Sequence, residues 1–143
     1  KEMERFDTGI VRHIAANKFN YPVYVALTTV CDKKYVASIQ DNLYLTGLAY
    51  NYSKENLDNV AILKRNVEKN YALDYIDKTF YTDIAPQMVK MINGNYIVPF
   101  LNLYDHYKIS GDVQKQEWIK TKLLSIATGT EQDAEVKAHL EKK

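Results

Sequence analysis

Residues 96–127 have the sequence YIVPFLNLYDHYKISGDVQKQEWIKTKLLSIA, in which two apolar segments of helical period flank the turn Ser110-Gly111-Asp112. In each segment the apolar side chains recur at spacings of three and four, which places them on one face of a helix. Gly111 suits the left-handed position after the first helix, and Asp112 suits the N-cap of the second. Because the connection is short, the two helices are expected to pack antiparallel as a hairpin. The apolar stripes contain Ile97, Phe100, Leu101, Tyr104 and Tyr107 on the first helix and Trp118, Ile119, Leu123, Ile126 and Ala127 on the second.

The hairpin is similar to one degenerate tetratricopeptide unit, whose period is about 34 residues. A helix that ends in tyrosines, a Gly-Asp step and a Lys/Glu-rich helix carry this likeness. A hairpin of this type is a packing and contact unit, so it predicts no chemistry by itself. Trp118 is expected to be a core anchor between the two helices.

Length and composition predict a single globular domain over residues 1–143. Hydrophobic residues make up 46% of the chain and charged residues 26%, which is typical of folded proteins. The 19 basic and 18 acidic residues nearly cancel, so binding to nucleic acid or to an anionic membrane surface is not expected. The longest apolar run, residues 21–31, is shorter than the ~20 residues of a membrane-spanning helix.

Residues 1–55 are expected to form a small α/β part. Residues 6–17 have helical spacing, and residues 21–29 are β-branched and aromatic, which predicts a strand covered on both faces. Residues 43–52 predict a second strand that pairs with the first, with a bulge or a close backbone approach at Gly47.

Residues 56–127 are expected to form a helical part that includes the hairpin at 96–127. One helix is predicted at residues 60–71, with Asn59 as its cap. Another starts at Thr82-Asp83, and it either ends at residues 93–95 or, as we favour, continues to Tyr107 with a kink at Pro99. Its stripe of Ile84, Met88, Met91 and Ile92 is expected to be buried. Residues 128–143 are a terminal helix or a frayed tail.

These elements predict a mostly helical α+β fold. A small two-stranded sheet packs on helices, because two short strands are not stable alone. The tetratricopeptide-like hairpin lies toward the C-terminus.

Two short motifs resemble a known family. Residues 20–26, NYPVYVA, and residues 43–50, LYLTGLAY, are similar to the C-terminal soluble part of a Bacteroidetes family of polytopic membrane proteins of unknown function. That family usually shows Arg-Pro-Ile-Tyr-Phe and Glu-Gly-Leu-Ala-Tyr-Arg-Leu at these places, and it is itself similar to membrane glycosyltransferases of the protein O-mannosyltransferase kind. This chain differs at Tyr21, Thr46 and Asn51, where the family has Arg, Glu and Arg.

The resemblance implies an extramembrane accessory domain on the periplasmic side of the inner membrane, holding an acceptor protein or a partner subunit. The chain begins at Lys1 with neither a starting Met nor a signal sequence, which agrees with a piece of a longer protein whose missing part spans the membrane. In such enzymes the transfer chemistry comes from acidic residues beside the membrane spans. No catalytic residue is therefore carried over to this chain.

No catalytic, cofactor or metal site is expected from the residues themselves. His13, His106 and His139 are far apart and lack metal-ligand spacing, and the five glycines form no phosphate-binding motif. Asp105 and His106 are the most site-like pair, but helix neighbours point about 100° apart, which favours a solvated polar face. A small enzyme built on this pair is a distant alternative, and a free-standing tetratricopeptide-like interaction module is the closer one.

Tyrosine is unusually abundant, with twelve residues. Its ring is apolar and its tip polar, which suits half-buried and interface positions. Most of these tyrosines are expected in the core, with their hydroxyl groups at its solvent-exposed edge. The other interpretation is that they form a surface that contacts carbohydrate or protein. The residues expected on such a contact surface are Tyr44, Tyr50, Tyr52, Tyr104 and Tyr107.

Overall fold

The computed structural model describes residues 21–30, 36–76 and 86–142, together with the single positions 9, 13 and 16. The chain divides into two compact units, Lys1–Asn59 and Val60–Lys143. The first contains a small antiparallel sheet and the second is helical, so the predicted mostly helical α+β class is confirmed. The helix predicted at residues 6–17 lies almost wholly outside the described residues.

The sheet of the first unit has the strand order β1-β3-β2 over the described part of the chain. Strand β1 is Val23–Ala26, β2 is Leu43–Leu45 and β3 is Ala49–Tyr52, and both pairings are antiparallel. The strand predicted at residues 43–52 is therefore two strands, which gives three strands instead of the expected two. Strands β2 and β3 are joined by Gly47 and Leu48, and beside this connection the Thr46 N–H donates to the Ala49 carbonyl at 3.2 Å. Glycine at the first position of a two-residue hairpin loop is a common turn signal, so Gly47 marks a turn and not a bulge.

Strand β1 is shorter than predicted. Its last pair is Ala26 with Ala49, the first residue of β3, so the backbone beyond Ala26 has no neighbouring strand. The next residues form the single helical turn α1, Leu27–Val30, which satisfies backbone groups locally. The expectation that this strand is covered on both faces is wrong, because Tyr24 is 59% exposed.

The helices of the second unit follow the predicted order. They are α2, Asn59–Arg65, which passes into a π-helical turn at Asn66–Asn70; α3, Pro86–Asn93; α4, Ile97–Ser110; α5, Val113–Ala127; and α6, Asp133–Glu141. A 3-10 turn, Gly94–Tyr96, separates α3 from α4. The helix therefore ends at Asn93, as the alternative prediction had it, and the favoured single helix to Tyr107 is not observed. The change in helix type lies at this turn and not at Pro99. Because Pro99 is in the first turn of α4, its missing N–H removes no intrahelical hydrogen bond.

The connection between α4 and α5 matches the prediction. Gly111 has a φ of 73°, in the left-handed region, and the Asp112 N–H donates to the Tyr107 carbonyl at 3.0 Å. The Asp112 carboxylate in turn accepts from the Lys115 N–H at 3.1 Å, which caps α5. The two helices pack against each other as the predicted hairpin.

The core of the second unit is built on this hairpin. Trp118 is only partly buried against the core, so it is not the central anchor that was expected. The C-terminal segment is a helix and not a frayed tail, since Val136 of α6 is 1% exposed. The buried cluster contains Leu63, Val67, Leu73, Ile76, Ile97, Phe100, Leu103, Tyr104, Tyr107, Ile119, Leu123, Ile126, Ala127 and Val136.

Candidate functional site

The five tyrosines predicted as a contact surface are divided between the two compact units. Tyr104 and Tyr107 are 4% and 1% exposed and belong to the core of the second unit. Tyr44, Tyr50 and Tyr52 are half-buried in the sheet of the first unit. The strand register places Tyr44 on one face of that sheet and Tyr50 and Tyr52 on the other, because successive strand residues point to opposite faces.

Asp105 pairs with His139 and not with its sequence neighbour His106. The His139 Nε2 atom lies 2.9 Å from Asp105 Oδ1 and 3.0 Å from Oδ2. The His106 ring instead contacts the Tyr107 ring edge to face, with 5.6 Å between the ring centroids. The predicted divergence of neighbours on a helix is therefore observed. A carboxylate–imidazole pair can carry protons, but both side chains are partly exposed, and among the described residues no nucleophile is hydrogen-bonded to either of them.

A second polar cluster connects the π-helical turn to the hairpin. The Tyr107 hydroxyl donates to Glu68 Oε1 at 2.6 Å, and Lys115 Nζ donates to the same oxygen at 2.9 Å. The ammonium groups of Lys64 and Lys115 each lie 5.8 Å from the Tyr107 ring centroid. The sequence analysis missed this cluster, because its members are 39 and 47 positions apart.

The pKa values of this cluster are shifted in opposite directions. Burial of the Glu68 carboxylate raises its pKa, but the hydrogen bonds from Tyr107 and Lys115 and the charges of Lys115 and Lys64 outweigh burial, so the pKa is lowered from 4.5. Burial, the hydrogen bond to Glu68 and the negative charges of Glu68 and Asp112 all raise the pKa of the Tyr107 phenol. An ionised Glu68 and a neutral Tyr107 are therefore the stable pair at neutral pH. This arrangement holds the two elements together and keeps Tyr107 from acting as a base.

Metal binding has no support in the part of the chain that the structure describes. It contains no group of three or more His, Cys, Asp or Glu side chains that could hold an ion.

The apolar stripe of α3 faces outward. Met88, Met91 and Ile92 are 56%, 70% and 53% exposed, so the expectation that they are buried is wrong. Ile84, the fourth member of that stripe, lies outside the described residues. The periodicity of these residues was correct, but periodicity alone does not show which side of a helix meets the core. An exposed apolar stripe of this kind is typical of a surface that binds another molecule.

A groove runs beside this stripe within the second unit. Its volume is about 640 Å³, and α3, the 3-10 turn and the turn between α5 and α6 form its walls. Gly129 is in the left-handed region with a φ of 73°, and a Cβ atom there would lie 3.6 Å from Lys90 Nζ. The lining consists of Gln87, Lys90, Met91, Gly94, Asn95, Gly129, Thr130, Glu131 and Gln132.

The groove combines one apolar side chain with several amides and two opposite charges. Amide side chains can donate to and accept from a peptide backbone, and Lys90 and Glu131 can each pair with a charged side chain. Methionine adapts its shape to an apolar partner because it is unbranched and polarisable. These groups can make polar and apolar contacts with a ligand, and none of the lining groups forms a nucleophile–base pair.

Comparison with protein-family models, with curated proteins and with solved structures finds no match to this chain. Among the described residues, every helix is too short or too polar to cross a lipid bilayer.

Proposed function

We propose that this chain is an accessory domain of a membrane-embedded glycosyltransferase-like protein, in which it holds an acceptor protein or a partner subunit without being catalytic itself. The motifs at residues 20–26 and 43–50 support the glycosyltransferase-like parent through the resemblance described above. In this proposal the domain lies on the periplasmic side of the inner membrane. Other parts of the parent protein supply the membrane spans and the acidic groups for transfer.

The observation that carries the binding role is the exposed stripe of Met88, Met91 and Ile92 on α3. These residues stand at positions i, i+3 and i+4, which is the spacing of the anchor positions in helix recognition. Single exposed apolar residues are common on protein surfaces, but here three occupy neighbouring positions on one helix face, and Met91 also lines the groove. Covering this surface with a partner would remove it from water, which is the main driving force for association.

The second candidate is a free-standing tetratricopeptide-like interaction module, and the α4–α5 hairpin is the feature that favours it. A repeat of this type does not bury its apolar face alone, and stable arrays use about three units. The described residues contain one pair of consecutive packed helices, α4 and α5, followed by α6. We therefore favour the accessory role, in which the hairpin forms the core of the unit and α3 provides the binding surface.

The test is site-specific photo-crosslinking in the full-length protein in its native cells. A photoreactive phenylalanine derivative at Met88 or Met91 is expected to form an adduct with one protein of defined mass. The matched control is the same derivative at Glu117, whose side chain is 60% exposed on α5. Equal adducts at all three positions, or none at Met88 and Met91, would contradict the binding role.

The glycosyltransferase assignment needs its own measurement. Sugar transfer to the crosslinked acceptor is compared between the full-length protein and the same protein carrying Met91→Lys. A charge on the stripe is expected to reduce transfer to the protein acceptor, because a buried unpaired charge is costly at an interface. Sugar transfer by residues 1–143 alone would refute the non-catalytic role.

A further inference from the structure

One row of side chains crosses the three strands of the sheet in the first unit. The register pairs Tyr24 of β1 with Asn51 of β3, and Asn51 with Tyr44 of β2. Directly opposed residues in neighbouring strands point to the same face, so Tyr24, Asn51 and Tyr44 stand side by side. We call these three residues the Tyr–Asn–Tyr row.

The face that carries this row is uncharged over its paired positions. Besides the three row residues, it contains the directly opposed pair Ala26 and Ala49. The alanines are two positions along the strands from Tyr24 and Asn51, so they leave a shallow space beside the larger side chains. Tyr24 is 59% exposed, so its ring can be reached from solvent.

The spacing of the two tyrosines sets the size of a ligand. Neighbouring strands are about 4.7–4.9 Å apart, so the two tyrosine positions are separated by about 9–10 Å. This distance exceeds the width of one six-membered sugar ring. A ligand that stacks on the tyrosines of both outer strands and spans this distance is therefore extended, with at least two ring units.

We propose that the Tyr–Asn–Tyr row binds a neutral oligosaccharide, independently of the partner-binding role of α3. The apolar faces of pyranose rings pack on the tyrosine rings, and the Asn51 amide donates to and accepts from sugar hydroxyls between them. A nucleic acid would also stack on aromatic rings, but it requires cationic groups for its phosphates and this face has none at its paired positions. A polyproline-type peptide is the remaining ligand for an aromatic surface, and it serves as a comparison in the test.

The test is a nuclear magnetic resonance titration of the ¹⁵N-labelled protein. The probes are cellohexaose, mannohexaose and chitohexaose, each added up to about 10 mM. At least one is expected to shift the backbone or side-chain amide signals of Tyr24, Tyr44 and Asn51. Shifts confined to other residues, or no shifts with any of the three sugars, would overturn the proposal. The proposal would also be overturned if decaproline shifted the amide signals of Tyr24, Tyr44 and Asn51 and none of the sugars did.

Variants of Tyr24 test the stacking contact. Tyr24→Ala is expected to weaken the binding of the active sugar about tenfold, whereas Tyr24→Phe retains the ring and most of the affinity. The matched control is Tyr21→Ala, which removes a tyrosine that is 81% exposed and precedes the paired strand. Equal losses from Tyr21→Ala and Tyr24→Ala, or unchanged binding in Tyr24→Ala, would contradict the assignment. These variants leave Met88 and Met91 intact. The sugar-binding proposal can therefore fail while the crosslinking from α3 succeeds, and the reverse.

Discussion

The imidazole of His139 lies 2.9 Å from the Asp105 carboxylate and so ties α6 to α4. The Tyr104 hydroxyl of α4 also donates to the Leu140 carbonyl of α6 at 3.2 Å, and Lys108 Nζ of α4 donates to the carbonyl of Lys142, the residue after α6. Together with buried Val136, these polar contacts hold the short helix α6 on the core. The aspartate that looked most site-like in the sequence is thus part of a structural contact.

We expect His139→Ala to weaken the attachment of α6. Both side chains of the pair are partly exposed, so the loss in the free energy of unfolding should be about 0.5–1 kcal/mol. Amide hydrogen exchange in α6 should become faster than in α5, because the change acts locally. His106→Ala is the matched control and should stay within about 0.5 kcal/mol of the parent protein. A larger effect from His106→Ala would contradict the pairing of Asp105 with His139.

The Glu68 carboxylate should make the stability of the protein depend on acid pH. Its pKa is lowered in the folded state, so its contribution is present above the unfolded value of 4.5 and is lost as the pH falls through the lower folded value. Glu68→Gln should cost about 1 kcal/mol at neutral pH and reduce the loss of stability below pH 4.5. Urea unfolding at several pH values measures both effects. Glu117→Gln, at an exposed pair with Lys120, should leave the acid dependence unchanged.

Much of the second unit could be predicted from the sequence because its signals are local. The left-handed Gly111, the Asp112 cap and the spacing of Phe100 and Tyr107 all depend on residues within a few positions of one another. The same kind of signal is present at Gly47, where it predicts a bulge or a close backbone approach and the structure has a turn. A two-residue turn and a bulge both favour glycine, and the choice between them depends on strand pairing.

The candidate sites could not be predicted because they depend on long-range packing. The stripe of Met88 and Met91 has the same period whether it meets the core or the solvent, and only the tertiary structure of the unit decides which of the two it meets. The pairing of Asp105 with His139 joins residues 34 positions apart. The Tyr–Asn–Tyr row likewise exists only through the register of three strands.

Tyr96 should contribute to the loss of stability at alkaline pH. Burial raises its pKa to about 12, with further contributions from Tyr75 and Tyr71. Because the folded pKa is above the unfolded value of 10, the contribution is complete below pH 10 and is lost as the pH rises toward 12. Tyr96→Phe should therefore flatten the decline of stability over this interval. Ultraviolet difference spectroscopy should show one fewer late-titrating phenol in this variant, and an unchanged titration curve would contradict the shift.

The orientation of α3 gives the sharpest stability prediction. Met91 is 70% exposed, so Met91→Gln should change the free energy of unfolding by no more than about 0.5 kcal/mol, as for other surface substitutions. Leu123 is fully buried on α5, and Leu123→Ala should cost about 2–5 kcal/mol through lost burial and the cavity that remains. Urea unfolding of both variants makes the comparison. If Met91→Gln cost as much as Leu123→Ala, the stripe would be part of a core, as its periodicity first suggested, and a partner could not bind there. A near-neutral Met91→Gln variant that also abolishes the crosslink from Met88 would separate a binding defect from a folding defect.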